Sequence, residues 1–201
     1  MKRAILFVAA GVAAVSLAAC QKQQDKAADA AASAPAAVDA AQDATSAAVG
    51  QVSAATVGAN STEAFVTALA TSDMYEIGAG GIAQTKGQSA DVKAFGKMMV
   101  TAHTAMSNEV KPLFIAAAAK VPTELDQRRK GLIDNLNAAT PADFDATYLS
   151  QQEAAHQEAL TLLKGYADGG SDAGLKAAAA KAIPKVQAHL DKVHALQAAK
   201  K

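Results

Sequence analysis

Apolar residues recur at helical spacing through the C-terminal two-thirds of the chain, where they form four long stripes. The stripes fall on residues 61–86, 89–119, 141–168 and 172–199, and Gly, Pro, Ser and Thr cluster between them. An apolar stripe with a period of 3.6 residues is typical of a helix that buries one face. We therefore predict four long helices, named A to D in chain order, each about 40 Å long at 1.5 Å per residue.

Capping residues and prolines mark the helix ends. Thr140 followed by Pro141 is typical of a helix start, because Thr caps the first amides and Pro has none to cap. Pro112 predicts a kink within helix B. A weaker apolar pattern over residues 123–137 predicts a short connecting helix between helices B and C. We expect an all-α, ferritin-like four-helix bundle domain over residues 61–199.

The N-terminus has the pattern of a targeting signal. Lys2 and Arg3 precede a 12-residue apolar stretch at 4–15, which is too short to span a bilayer. Leu-Ala-Ala-Cys then ends at Cys20 and resembles the lipobox of bacterial lipoproteins, in which the Cys thiol receives diacylglycerol. We predict a lipoprotein signal peptide over residues 1–19 and lipidation of Cys20. An ordinary secretory signal followed by an incidental Cys is the alternative.

The segment after Cys20 predicts a spacer between the lipid and the domain. Residues 21–60 contain no aromatic residue and no Leu, Ile or Met, and Ala dominates. Such a stretch buries too little apolar surface to offset its ordering entropy. We predict a flexible Ala-rich tether over residues 20–60. Because Gln21 replaces the Asp that favours inner-membrane retention, we expect the protein to be anchored in the outer membrane, facing the periplasm.

Composition and charge exclude several classes of function. Lys plus Arg and Asp plus Glu both number 19, so the chain lacks the basic surplus that nucleic-acid binding requires. The single Cys excludes a disulfide framework and zinc or iron–sulfur sites built from cysteines. We find no phosphate-binding loop and no nucleophile motif, so we expect a protein that is not an enzyme. The sequence identifies no protein partner.

Each predicted long helix carries an ionisable residue within or beside its apolar stripe. Glu76, His103, His156 and His189 interrupt the stripes of helices A, B, C and D, all near the helix midpoints. In a bundle these side chains would lie at similar height. Glu153 precedes His156 by three residues, so both project from one face of helix C and suit two ligands of one metal.

Two interpretations of these residues remain open. Three imidazoles with one or two carboxylates suit a transition metal ion such as Zn, Fe or Cu. Because Glu-x-x-His occurs on only one helix, a mononuclear site is favoured over the dinuclear site of ferritin-like oxidases. In the alternative, the same side chains hydrogen bond to one another and fix the register of the helices.

Several of these residues lie in segments that resemble one bacterial family, called domain of unknown function 4142. The resemblance covers about residues 61–197, and an Asp of the family pattern is replaced here by Ala102. It rests on the segments Val92–His103 and Phe144–Tyr148 and on Glu76, Ala83, Lys86, His156, Pro184 and His189.

This resemblance implies a ferritin-like protein of the outer membrane or periplasm. Combined with the ionisable residues, it leads to the hypothesis of a lipid-anchored, periplasm-facing helical protein. It would bind a transition metal through Glu76, His103, Glu153, His156 and His189, with a role in metal handling or envelope stress. The alternative function is a non-enzymatic interaction or structural module of the envelope, with a purely structural polar network.

Overall fold

The protein is all-helical in the part of the chain that its structure, a computed structural model, describes. The structure describes residues 39–56 and 61–199, and these ranges contain helices, turns and bends but no strand. The helices are α1 (residues 39–56), α2 (Thr62–Lys86), α3 (Ala90–Ala116), α4 (Gln127–Ala138), α5 (Pro141–Gly169) and α6 (Ala173–Ala198). Helices α2, α3, α5 and α6 correspond to predicted helices A to D, and α4 to the connecting helix.

The predicted signal peptide over residues 1–19, the lipidation site Cys20, and residues 21–38 and 57–60 of the predicted tether lie outside the described residues. Among the helices that the structure does describe, none combines the length and the apolar character that a membrane span needs.

Side-chain caps begin the long helices. Ser61, Ser89 and Thr140 each accept a hydrogen bond from an amide of the first turn of α2, α3 and α5. Helix α3 ends at Ala116 rather than at residue 119. Its end is closed by main-chain hydrogen bonds, and Ala118 adopts the left-handed conformation there (φ 51°). Local hydrogen bonding therefore stops this helix earlier than its apolar pattern predicts.

The four long helices enclose an interior with two apolar ends. Helix α2 packs on α3 and α5, while α6 packs on α5 and α3. One apolar cluster includes Phe65, Leu69, Phe114, Leu163, Tyr166 and Leu175, and the other includes Tyr75, Phe95, Met99, Leu136, Tyr148 and Val193. Along each long helix, buried polar residues lie between or beside the positions of the two clusters. We call this level of the fold the polar layer; it includes Asp73, Glu76, His103, Gln152, His156 and His189.

Helices α2 and α3 approach closely at a pair of glycines. A Cβ atom added at Gly80 would lie 2.7 Å from the carbonyl oxygen of Gly96, and one added at Gly96 would lie 2.7 Å from that of Gly80. Both distances are shorter than van der Waals contact, so the absence of side chains permits this approach. The close contact brings the α2 residues of the polar layer near those of α3.

Helix α1 differs from the flexible tether that the sequence predicts for residues 20–60. Residues 39–56 are helical, and their polar groups bind α4 and α5. Asp43 accepts a hydrogen bond of 2.7 Å from the amide of Asn135, and Gln51 accepts one of 3.0 Å from Thr161. Cross-helix hydrogen bonds thus support an Ala-rich segment that carries few apolar side chains.

Candidate metal centre in the polar layer

Three helices each bring one histidine to the polar layer. His103 lies on α3, His156 on α5 and His189 on α6, and their exposed fractions are only 3%, 1% and 9%. Each lies on the buried face of its helix near the midpoint, which is where the apolar stripes place it. The structure therefore brings these three sequence-predicted site residues together inside the domain.

The three imidazole rings form a nearly equilateral triangle. The ring centroids are separated by 5.9 Å between His103 and His156, and by 5.5 Å between His189 and each of the others. One nitrogen from each ring lies within 4.8 Å of the corresponding nitrogens of the other two. The three rings therefore point toward a common space.

The nitrogens around this space have no hydrogen-bond partner among the described residues. They are Nε2 of His103, Nε2 of His156 and Nδ1 of His189, and all are fully buried. An unpaired polar atom in a protein interior costs about 1–3 kcal/mol, so such atoms are uncommon. A cluster of three such nitrogens, each with a free lone pair, is what a binding site for a metal ion requires.

Asp73 on α2 fixes the orientation of His103. Its Oδ1 lies 2.8 Å from Nδ1 of His103, and its Oδ2 accepts a hydrogen bond of 2.7 Å from Ser107. Because a carboxylate is an acceptor, the proton of this pair lies on Nδ1, which directs Nε2 toward the other histidines. A carboxylate behind a ligating histidine is the usual outer-shell arrangement at metal sites.

The main chain of α5 orients His156 in the same way. Its Nδ1 donates a hydrogen bond of 2.8 Å to the carbonyl oxygen of Gln152, which leaves the Nε2 lone pair free. The side chain of Gln152 in turn donates to Glu76 at 2.8 Å. Two of the three rings are thus held with Nδ1 bonded outward and Nε2 directed inward.

Burial and mutual repulsion keep two of the histidines neutral. Burial, with the nearby His103, lowers the pKa of His156 to about 4, although the Gln152 carbonyl acts in the opposite direction. Burial, with His156 and His103, lowers the pKa of His189 to about 3. Neutral imidazoles are the form that binds metal.

His103 behaves differently from the other two. Burial acts to lower its pKa, but the hydrogen bond to Asp73 and the charge of Glu76 outweigh burial and raise the pKa above its ordinary value. A metal ion therefore has to displace a proton more often at His103 than at His156 or His189. The hydrogen bond to Asp73 compensates by stabilising positive charge on the bound ring.

Glu76 lies beside the triangle of histidines. It is 1% exposed, and its Oε1 is 3.8 Å from Nδ1 of His156. Burial raises the pKa of its carboxyl group. Its contacts are with Gln152 and the outward-facing nitrogen of His156, so in the present geometry it supports the cluster from outside.

Glu153 is not part of the cluster. Its side chain is 36% exposed, and its carboxylate lies 3.4 Å from His194 and accepts a hydrogen bond of 2.9 Å from Gln197. The predicted pairing of Glu153 with His156 as two ligands is therefore not formed. The reason is the rotation of α5, which directs His156 inward and leaves Glu153 facing the C-terminal part of α6.

Sequence reasoning missed three residues that build the site: Asp73, Ser107 and Gln152. Asp73 precedes Glu76 by three residues and therefore lies on the same face of α2, which was a usable signal. Gln152 precedes His156 by four residues on α5 in the same manner. Ser107 gave no signal, because its contact with Asp73 depends on how α2 and α3 are paired.

The arrangement can hold one metal ion through three nitrogens and leave further positions for other ligands. Histidine nitrogens bind Zn at about 2.0–2.1 Å, which places three such nitrogens about 3.4 Å apart in a tetrahedral site. An ion would thus draw the rings somewhat closer together. A centre with three histidines and an open position is typical of metals that bind an additional small ligand.

Comparison with known proteins supports the resemblance read from the sequence. No curated protein and no solved structure matches the chain. The family model described as a domain of unknown function (DUF4142) matches residues 47–196, which include all three histidines and the second half of α1. The match covers most of the chain. The protein therefore belongs to this family, the proteins with a domain of unknown function DUF4142.

Proposed function

We propose that this domain is a ferritin-like four-helix bundle that binds one transition metal ion through His103, His156 and His189. The observation that carries the proposal is the convergence of three buried imidazole nitrogens, none of which has a hydrogen-bond partner within residues 39–56 and 61–199. Imidazole nitrogens suit the borderline ions Zn, Fe and Cu. Glu76, Asp73 and Gln152 surround the ligands and fix their orientation.

A purely structural polar network explains these contacts less well. In such a network each buried polar atom is paired, because an unpaired one costs more than the network gains. Here the pairing is complete on the outward side of His103 and His156 and absent on the side where the rings face one another. This one-sided pairing supports binding of an ion between the rings.

Elemental analysis of the full chain tests this proposal, provided that the protein is purified without a histidine tag and without chelators. We expect about one equivalent of a single transition metal, the stoichiometry of one three-histidine site. The double substitution His103→Ala and His156→Ala removes two ligands and should abolish the bound metal. His194→Ala is the matched control, because His194 is the one remaining histidine and faces Glu153 near the surface.

Two results would contradict the proposal. One is an unchanged metal content in the double variant. The other is a protein without metal that still binds none after incubation with Zn, Fe and Cu salts. Either result would assign the polar layer a structural role and favour the alternative function, an interaction module of the cell envelope.

We also propose that the protein is a lipoprotein of the outer membrane, where its domain faces the periplasm and takes part in metal handling or envelope stress. The support for this proposal comes from residues 1–21 of the sequence, with a single Cys at position 20. Labelling of cells with radioactive palmitate should mark the protein, and Cys20→Ser should remove the label and release the protein from the membrane fraction. Persistent membrane attachment of the variant would disprove the anchor.

A further inference from the structure

A cavity separate from the space between the histidines lies among α2, α3, α5 and α6. Its volume is about 350 Å³, within the usual range of ligand pockets. The walls are apolar and include Leu69, Met106, Val110, Leu113 and Leu163. The interior therefore favours a ligand with an apolar body of modest size.

Small side chains on α6 leave this space open. Ala177, Ala178, Ala179 and Ala182 line the cavity on the side of α6, and Gly174 adds no side chain at all. Opposite them, α3 contributes larger apolar side chains. Because alanine methyl groups reach only a short distance from the helix, the gap between α3 and α6 stays unfilled.

Three charged side chains of the cavity lie close together. Glu109 lies 3.7 Å from Lys181 and 3.2 Å from Lys185, and all three line the cavity. Lys181 exposes 72% of its side chain, so this charged part of the cavity, which we call the mouth, reaches solvent. Two lysines against one glutamate leave a net positive charge at the mouth.

The remaining charged residue of the cavity, Asp73, already has hydrogen-bond partners inside the protein for both carboxylate oxygens. Its two carboxylate oxygens bind His103 and Ser107. Asp73 is 4% exposed, whereas the two lysines reach solvent. The net positive charge of the two lysines at the mouth is thus available to pair with the head group of a ligand.

We propose that this cavity binds a medium-chain aliphatic carboxylate, whose chain lies between α3 and α6 and whose carboxylate pairs with Lys181 and Lys185. At roughly 30 Å³ for a group about the size of a water molecule, the volume holds a chain of about ten carbons. A carboxylate supplies the negative charge that the mouth lacks. This site does not depend on a bound metal, so it can be tested in metal-free protein.

Isothermal titration calorimetry of the full chain with decanoate, below the concentration at which decanoate forms micelles, tests the proposal. We expect one molecule bound per chain. Decanol and decylammonium, which keep the chain but remove or reverse the charge, should bind at least about 10-fold more weakly because they lose the pairing with the lysines. Acetate, which keeps the charge without the chain, should not bind measurably.

Matched variants on α6 assign the binding to the cavity. Ala178→Phe should abolish decanoate binding by filling the space, whereas Ala180→Phe, at an exposed position outside the cavity, should leave it unchanged. Lys181→Glu combined with Lys185→Glu should weaken binding at least about 10-fold. Lys192→Glu, an exposed position on the same helix, should have no effect.

Circular dichroism and thermal unfolding confirm that each variant is folded before its binding is compared. Absence of decanoate binding to the wild type would overturn the proposal, as would equal binding by Ala178→Phe. Equal or tighter binding of decylammonium would also overturn it, because the head group would then be recognised by Asp73 or Glu109. Failure of any of these tests leaves the histidine site unaffected, since that site is tested by its metal content.

Discussion

Two buried polar clusters in this protein differ in how completely their atoms are paired. In the first, Arg129 and Glu158 are 8% and 9% exposed, and Arg129 donates to Glu158 at 2.6 Å and to Thr71 at 3.2 Å. Arg128 also donates to Glu158, and no buried polar atom of these side chains lacks a partner. The histidine cluster instead leaves three nitrogens unpaired. We call the first cluster closed, because its buried polar atoms all have hydrogen-bond partners. We call the histidine cluster open, because the nitrogens that face its centre have none.

The difference shows how a structural network can be distinguished from a binding site. A closed cluster has used its hydrogen-bonding capacity within the protein, so removal of one member leaves a partner buried without compensation. In an open cluster, hydrogen bonds on the outer side hold each side chain in place. The atoms that face the centre stay unpaired and can bind a ligand. Removal of an inward-facing member then costs little stability but destroys binding.

The largest expected effect is in the closed cluster. Glu158→Ala should lower the free energy of unfolding by about 3–5 kcal/mol, because it removes the buried carboxylate that Arg128 and Arg129 share and leaves Arg129 only its ion pair with Asp126. Denaturant unfolding of metal-free protein measures this loss. Metal content should not change. A loss below about 1 kcal/mol would instead show that the ion pairs of this cluster behave like exposed ones and contribute little to stability.

Replacement of both partners sharpens this result. Arg129→Met together with Glu158→Leu removes both buried charges and fills the space with apolar atoms, which is often neutral or stabilising. The partners left behind, Arg128 and Asp126, expose 20% and 39% of their side chains and can be hydrated. We expect the double variant to recover most of the stability lost in Glu158→Ala. A double variant as unstable as the single one would show that the loss comes from packing rather than from an unpaired charge.

In the open cluster, Asp73→Asn should weaken metal binding by about 10–100-fold. Loss of a carboxylate that supports a ligating histidine usually lowers the affinity for the metal ion by that factor. A competition titration with a chelator of known affinity measures the change. Asp143→Asn is a suitable control, since Asp143 is an exposed carboxylate in the first turn of α5. Unchanged affinity in Asp73→Asn would mean that His103 needs no support from α2.

A smaller effect is expected on the stability of metal-free protein when one ligand becomes apolar. His156→Leu removes the unpaired Nε2 together with one hydrogen bond to a carbonyl that is within a helix. The free energy of unfolding should stay within about 1 kcal/mol of the wild type or increase, while metal binding is lost. A loss of 3 kcal/mol or more, as expected for the closed cluster, would show that His156 is also part of a structural network that stabilises the fold.

The smallest net effect concerns pH, because four buried groups of the histidine cluster contribute in opposite directions. The pKa values of His156 and His189 are lowered to about 4 and about 3, so between pH 6.5 and 4 the unfolded chain binds protons that the folded chain does not. These two residues therefore make metal-free protein less stable as the pH falls through this window. Glu76 and His103, whose pKa values are raised, act in the opposite direction.

Because the contributions oppose one another, the test compares slopes. Denaturant unfolding at several pH values should show a weaker loss of stability toward low pH in His189→Asn than in the wild type. His194→Asn serves as the control at an exposed histidine. An identical pH profile in wild type and His189→Asn would show that His189 is not held neutral by burial.

The helical period predicted the all-helical fold and the buried positions of three of the five candidate ligands. Stripes with a period of 3.6 residues locate the buried face of each helix, and His103, His156 and His189 lie on those faces at the centre of their helices. The period does not fix how far each helix is rotated about its axis. For that reason the spacing alone did not show that α5 directs His156 inward while Glu153, at the edge of its stripe, faces His194 and Gln197.

Contacts between helices account for what the sequence left out. Asp73 reaches His103 because α2 and α3 approach closely at Gly80 and Gly96, a property of the helix pair and not of either helix. Asp73 thus supplies a carboxylate to His103 from the neighbouring helix. Helix α1 was missed because hydrogen bonds to α4 and α5 hold it, and its composition carries no apolar stripe.

The most direct test of a metal ion between the three histidines is a crystal structure of the full chain loaded with Zn, with anomalous scattering recorded at the zinc edge. We predict one strong anomalous peak, about 2.0–2.1 Å from Nε2 of His103, Nε2 of His156 and a nitrogen of His189. A peak confined to Glu153 and His194 at the surface, or an empty space between the three rings, would contradict the account.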